Sequence, residues 1–401
     1  MRKGIFMKKR LKLLGLFLSL LFMGSIAGAP VLAENIKVGV LLPLSDKLAR
    51  FGEMEQRSFR MAVEEINSAG GVNGNRIDLI IKDTTGRPDV ARSAIEKLIV
   101  QDEVVVVGGG WSSSATWAAA AVAQKRKVPF LVNTASADKI TEQGWKYIFR
   151  INPPVSEHPK TLTSFLRKVA RVKTAAILHE NTNSGLFGAK RFVKLCQESG
   201  IAVVMNQGYD AGAAELAPFF LEVKAKDPDL VYMHFSPMDA SFFMQQAKML
   251  NLNPKLFVGN ASGYALPEFQ KNAGEAAEYV YSHTLWTPSV PYTGARDYFD
   301  RFVATYGTPP GYHGAQAYAA MTVIADALKR ADPMTPKTVC DALSETEMMT
   351  VFGPVKFVSY DKKTQQNRQP TYLVQWIDGR LEIVWPKEVA TARYVYPFLP
   401  K

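Results

Sequence analysis

Val104-Val-Val-Val-Gly-Gly-Gly-Trp-Ser-Ser-Ser-Ala-Thr-Trp-Ala-Ala119 runs from four valines through three glycines to three serines and a helix-forming stretch. An apolar run as short as Glu103–Gly108 reads as a strand covered on both faces, the kind found in parallel sheets. Glycines let the backbone turn and let a ligand approach it closely. Ser112, Ser113 and Ser114 then open a helix over Ser113–Lys125. Its first N–H groups lack intrahelical partners and, with the hydroxyls, make a seat for a carboxylate. The alternative is that one serine is merely the helix N-cap. A strand, a glycine turn and a helix form the repeating unit of a doubly wound α/β sheet, where ligands sit at the carboxyl ends of the strands.

The flanking sequence repeats that unit. Upstream, Ile36–Leu44 and Ile77–Lys82 read as strands. Gly52–Ser68 reads as an amphipathic helix with Phe59, Ala62, Val63 and Ile66 on one face, ended by Gly70-Gly71. Pro88–Gln101 is a helix opened by proline. Downstream, the strand Pro129–Thr134 runs into Asn133-Thr134-Ala135-Ser136, a polar turn expected beside the serine turn, with Thr134 and Ser136 offering hydroxyls or carbonyls. The rhythm then restarts with strands at Ala175–His179, Ala202–Met205, Leu230–Phe235 and Leu256–Gly259. Helices over Leu186–Glu198, Leu216–Lys226 and Ala240–Leu250 lie between them. Two such sets predict two α/β lobes. The tail supplies helices at Ala295–Tyr306, Gly314–Arg330 and Pro336–Glu345, then strands at Val355–Tyr360, Thr371–Ile377 and Leu381–Trp385. Asp378-Gly379 between the last two is a hairpin signal. Too short for a third domain, the tail is expected to return and complete the two lobes.

Composition narrows the function. The chain has 401 residues and a formal charge of +11. Residues 1–33 carry six basic residues and no acid, which leaves a mild +5 for the rest. No long basic run interleaved with aromatics follows, so nucleic-acid binding is not expected. The basic start, the apolar stretch Leu13–Ala27 and the small residues before Ala33 read as a cleavable signal peptide, residues 1–33, with an uncleaved anchor as the alternative. With no cysteine near the cut, a lipid anchor is not expected. Cys196 and Cys340 sit in helical patterns and are expected to be buried thiols, one bridge being the alternative. His158, His179, His234, His283 and His313 are scattered, so neither metal nor cofactor is expected. The glycine run matches neither a dinucleotide fingerprint nor a P-loop, and there is no nucleophile elbow. An enzyme is therefore not expected; a serine hydrolase assembled in space with His179-Glu180 and Asp239 is the residual enzymatic reading.

The ordered series of motifs resembles the solute-binding proteins of ABC importers, type I fold, in the branched-chain amino-acid group. The series comprises Ile36-Lys-Val-Gly-Val-Leu-Leu-Pro-Leu-Ser45, Phe51-Gly52, Ala62-Val-Glu-Glu-Ile-Asn67 with Gly70-Gly-Val-Asn-Gly74, and the Gly-Gly-Trp-Ser-Ser-Ser turn. It continues through Ile148-Phe-Arg150, Asp227-Pro-Asp-Leu-Val231, Ala317-Tyr318 and Gly353-Pro-Val-Lys-Phe357. The resemblance spans residues 36–386. It implies two lobes joined by three crossovers and closing on a small ligand like a hinge. The expected division is 34–151 with 283–345, and 152–282 with 346–401. It also implies a periplasmic protein that delivers a carboxylate-bearing ligand to permease subunits, and the Lys and Glu residues on the helices fit a monomer. A sensor of the same fold feeding a receptor or regulator is the alternative.

By the same resemblance Ser112 holds the ligand carboxylate, with Gly110 and Ser113 beside it. Thr134 and Ser136 contact the amino-acid head, and Phe51 and Trp111 wall the ligand side chain. The second lobe departs from the pattern. Where an acid would meet the ligand ammonium stands Asn260-Ala261-Ser262, and two expected aromatic positions are Ser184 and Ser236. Glu180 or Asp239 are the substitutes available for the acid. His234, Phe235, Tyr264, Tyr312 and His313 are the further cleft candidates. A buried ammonium without an acid is costly, so an amine-free acid is as well suited as an amino acid.

Overall fold

The protein, seen in a computed structural model, is described over residues 35–210 and 217–398. The expected signal peptide lies outside the described residues. Ten strands alternate with helices along the first three quarters of the chain. They are β1 (Ile36–Leu42), β2 (Ile77–Asp83), β3 (Val106–Gly109), β4 (Phe130–Val132), β5 (Ile148–Arg150), β6 (Thr174–Glu180), β7 (Ala202–Tyr209), β8 (Leu230–His234), β9 (Leu256–Gly259) and β10 (Tyr281–Thr284). They build two parallel sheets of the same order, β2-β1-β3-β4-β5 and β7-β6-β8-β9-β10. Each sheet has its topological switch point between its first and third strands, and this is the crevice where open α/β sheets take ligands.

The tail closes both sheets. β11 (Glu347–Thr350), β12 (Gly353–Tyr360) and β13 (Lys363–Asn367) extend the first beyond β5, whereas β14 (Tyr372–Ile377) and β15 (Arg380–Trp385) extend the second beyond β10. The chain therefore crosses between sheets three times: between β5 and β6, after β10, and in the short link from β13 to β14. The helices Ala295–Tyr306, Tyr312–Arg330 and Pro336–Ser344 pack into the first lobe's core through Tyr298, Phe302, Ile324, Leu328 and Val339. Asp378 and Gly379 both have positive φ (49° and 71°), and Ile377 pairs with Arg380 across them, giving the two-residue hairpin expected there.

Several elements differ from expectation. Residues 346–401 do not all join the second lobe, because β11–β13 are hydrogen-bonded into the first sheet. The reason is polar. β13 is Lys-Thr-Gln-Gln-Asn and has no apolar alternation, yet Gln366 Oε1 accepts from Arg150 Nε at 2.6 Å. Asn367 Nδ2 donates to the Ile151 carbonyl at 3.1 Å. The Arg150 guanidinium is wholly buried and also donates to the Ala137 carbonyl and the Thr141 hydroxyl. Removal from water pushes its pKa down to about 10, so it stays charged at neutral pH. The first helix begins at Ala49, not Gly52. Gly52 instead lies in its first turn, where a Cβ would stand 1.9 Å from the Pro43 carbonyl oxygen. Cys340 belongs to the first lobe's core and Cys196 to the second's, and both are free thiols.

Candidate functional site

The first wall is built at the switch point of the first sheet. The Gly110 N–H donates to the Leu41 carbonyl at 2.9 Å, tying the glycine turn to the end of β1. Gly109 and Gly110 have φ of +103° and +92°. A Cβ on Gly109 would lie 2.3 Å from the Leu41 oxygen, so only glycine fits there. Ser112 takes the N-cap position of the helix Ser113–Arg126, and its carbonyl accepts the first helical bond from Thr116 at 2.8 Å. Its hydroxyl makes no capping bond and lies 3.3 Å from that of Ser114. The N–H groups of the helix's first turn and two serine hydroxyls thus converge on one spot, with the positive end of the helix dipole behind them. The hydroxyl of Ser113 is used internally, accepting from the Ala137 N–H at 3.2 Å.

Aromatic rings cluster beside this turn, Trp111 being the residue before Ser112. Phe51 stacks on Trp111 with centroids 5.0 Å apart, and His313 meets Phe51 edge-on at 5.4 Å. Tyr312 adjoins His313 at 4.0 Å. Arg50 lies 4.5 Å over the Phe51 ring. Burial, and to a smaller degree the Arg50 charge, pushes His313 down to about 3, so the cluster is uncharged at its centre.

Thr134 is placed differently from expectation. It is 9% exposed. Its hydroxyl donates to Glu55 Oε1 at 2.7 Å and its carbonyl accepts from Asn152 Nδ2 at 2.7 Å. The polar atoms expected to meet a ligand are therefore engaged inside the lobe. The Ser136 carbonyl likewise accepts from the Val155 N–H at 2.7 Å, while its side chain stays half-buried at the rim. Glu55 lies one helical turn beyond Phe51 and is fully buried. Loss of hydration raises its pKa to about 7 despite hydrogen bonds from Asn133 and Thr134. Gln316, one turn beyond Tyr312, reaches the same hydroxyl at 3.1 Å.

The second wall stands at the other switch point. Ser236 caps the helix Pro237–Met249, and its N–H donates to Glu180 Oε1. Asp239 accepts from the Tyr209 hydroxyl at 2.9 Å. Both substitute acids are thus partnered within the lobe. Asn260, where an acid would stand, is 4% exposed, and its Oδ1 accepts from the Phe235 N–H at 2.9 Å, stapling β8 to β9. Phe235 and Tyr264 are core residues and do not line a cleft. Ser184 is exposed, with its hydroxyl 3.1 Å from His234 Nε2. Ala261 and Tyr312 border two cavities, of about 210 Å³ and about 340 Å³. The smaller reaches His158, Arg191, His234 and His283. Three of the scattered histidines therefore share one cavity, a grouping that sequence spacing does not reveal. Among the described residues no metal-holding cluster of His, Cys, Asp or Glu is found. His179 Nδ1 lies 3.0 Å from the Glu180 carbonyl, so it and Asp239 are engaged with other partners.

With its two doubly wound lobes, the chain matches the family model described as "Periplasmic binding protein" over residues 35–380. The chain belongs to that family. Among curated relatives, a Leu/Ile/Val-binding protein homolog 7 of Brucella suis is 27% identical over 93% of this chain and 96% of its own length. The branched-chain amino-acid transporter substrate-binding protein LivJ of Streptococcus pneumoniae, solved with isoleucine, is 25% identical. It covers 91% of this chain and 100% of that one, with a TM-score of 0.72. A solute-binding protein of an R. palustris ABC transporter, solved with benzoate, has the same fold. It is 22% identical over 90% of this chain and 98% of that one, with a TM-score of 0.71. The family is one of solute-binding proteins, and the described residues offer a helix N-terminus with aromatic rings in the first lobe and hydroxyls with histidines in the second.

Proposed function

We propose that this periplasmic binding protein captures a small carboxylate outside the cytoplasm and presents it to the permease of an ABC importer of the branched-chain amino-acid type. The observation that supports this most directly is the Ser112–Ser114 turn. Its first-turn N–H groups have no intrahelical partner, the Ser112 hydroxyl makes no capping bond, and the Phe51–Trp111 stack stands beside it. A carboxylate there accepts charge-assisted hydrogen bonds, while the rings cover the apolar body. Binding across both walls stabilises the closed arrangement of the lobes, which is how such a ligand shifts an open–closed equilibrium. The likeness to relatives named for leucine, isoleucine and valine, and to one solved with benzoate, supports a ligand with one carboxylate and an apolar body. With Glu180, Asp239 and Asn260 all engaged, an amine-free acid suits the second wall better than an amino acid.

The test is calorimetric titration with leucine, 4-methylpentanoate and benzoate, repeated with Ser112→Ala. Binding by at least one acid, weakened about tenfold or more by the substitution, is expected from the loss of one hydrogen bond to a charged group. Binding that Ser112→Ala leaves unchanged would refute the carboxylate seat.

A further inference from the structure

The cavity of about 210 Å³ in the second lobe carries a charge pattern opposite to that of an ammonium site. Arg191 extends from the helix Asn183–Ser199 into its lining. His158 reaches it from the first crossover, His234 from the end of β8, and His283 from β10. No carboxylate belongs to the lining. Among the described residues Arg191 forms no ion pair, and its guanidinium donates to the Val155 carbonyl. Asp138, the carboxylate that acts on it from further away, is already paired with Lys363 at 3.1 Å. Burial, with help from the neighbouring Arg191 charge, pushes His158 down to about 3 and His283 to about 4. At neutral pH both are uncharged hydrogen-bonding groups around one half-buried guanidinium.

A half-buried guanidinium with free donors and no counter-charge is a site for an anion, and its planar fork matches a carboxylate. The lining also includes the apolar side chains of Leu162, Phe187 and Phe192 and the Tyr232 ring. Tyr312 borders the cavity and also touches His313 of the aromatic cluster, so one side chain links the two. The volume exceeds the ~150 Å³ that suffices to hold a benzene ring.

From this geometry we infer that the ligand is a dicarboxylate with an apolar spacer, its second carboxylate held by Arg191 with His283. The one N–H of neutral His158 is directed at the Pro153 carbonyl, 3.3 Å from its Nε2. The inference rests on the carboxylate-capture reading and names the ligand class of that same site. It predicts discrimination by charge at the far end, since a monoacid leaves the half-buried guanidinium without a counter-charge.

The experiment is calorimetric titration of the purified protein with matched pairs, terephthalate against benzoate and adipate against hexanoate, with leucine alongside. Each titration is repeated with Arg191→Gln and Arg191→Lys. The diacid of at least one pair is expected to bind about tenfold to a hundredfold more tightly than its monoacid, the usual reach of a charge-assisted contact. Arg191→Gln should erase that preference by weakening the diacid and relieving the monoacid of an unpaired charge, with Arg191→Lys intermediate. Monoacids or leucine binding as tightly as the diacids would overturn the inference while carboxylate capture stands. So would a diacid preference that survives Arg191→Gln. If no acid of the panel binds the folded protein, both readings fall. The comparison of acids needs only the unaltered protein, so it decides the matter even if the Arg191 variants do not fold.

Discussion

Replacing Glu55 by glutamine should make the protein more stable at neutral pH, by an amount that depends on pH in a defined way. Glu55 is fully buried between Asn133 and Thr134, and loss of hydration raises its pKa from 4.5 to about 7. The folded protein therefore keeps this proton over a range in which the unfolded chain has released it. Whatever stability the protonated side chain contributes is fully present below about pH 4.5 and is lost as pH rises towards 7. Each pKa unit corresponds to about 1.4 kcal/mol, so the loss reaches about 3 kcal/mol at most. Glutamine cannot ionise and escapes it. Its amide also has a waiting partner. Asn133 Oδ1 and Gln316 Nε2 are both buried without hydrogen bonds. Turning the Asn133 amide over lets its oxygen accept from the new glutamine. Turning Gln316 over lets its nitrogen donate to the Thr134 hydroxyl, which is already committed as a donor to position 55. The assay is urea denaturation of both proteins from pH 5 to pH 8. The stability of Glu55→Gln minus that of the parent should grow by about 2–3 kcal/mol across that range and flatten above pH 7. Contributions from other titrating groups cancel in the difference. A difference that stays constant with pH would refute the reasoning, because it would mean that the carboxyl keeps its hydration.

Other expectations follow from the same geometry. Gly109→Ala combines a positive φ with a Cβ 2.3 Å from the Leu41 oxygen, so it should cost about 2–4 kcal/mol, read as a lower denaturation midpoint with an unchanged slope. Cys196 and Cys340 lie in the cores of different lobes, and burial raises both thiols, to about 12 and about 11. A reductant should therefore leave the melting temperature unchanged, and thiol-reactive reagents should label neither until the protein is unfolded.

Much of this architecture is legible without coordinates where the pattern is local. The strand–glycine–serine–helix unit at 104–119, the amphipathic helices and the Asp378-Gly379 hairpin each announce themselves within a dozen residues. Local side-chain chemistry specifies them all. β5 and β13 were not legible. The first is three residues long, and the second is a polar run whose strand state comes from pairing with β5 and from the buried Arg150–Gln366 contact. The same distinction divides the site. Ser112 and its turn could be read because a helix start is a local event, whereas the role of Thr134 could not. Its hydroxyl could point either to a ligand or to the interior, and the choice depends on Glu55 and Gln316, 79 and 182 residues away along the chain.

The sequence by itself determined the two α/β lobes, the family and the serine turn that opens a helix, because periodicity, glycines and helix caps act over a few residues. Only the tertiary structure decided what surrounds the candidate site. It turned Asn260 and the substitute acids inward, and it gathered His158, Arg191, His234 and His283, scattered over 126 positions, around one cavity. Burial and charge at a cleft are sums over elements that meet only when the chain crosses between its sheets. No stretch of sequence contains those sums.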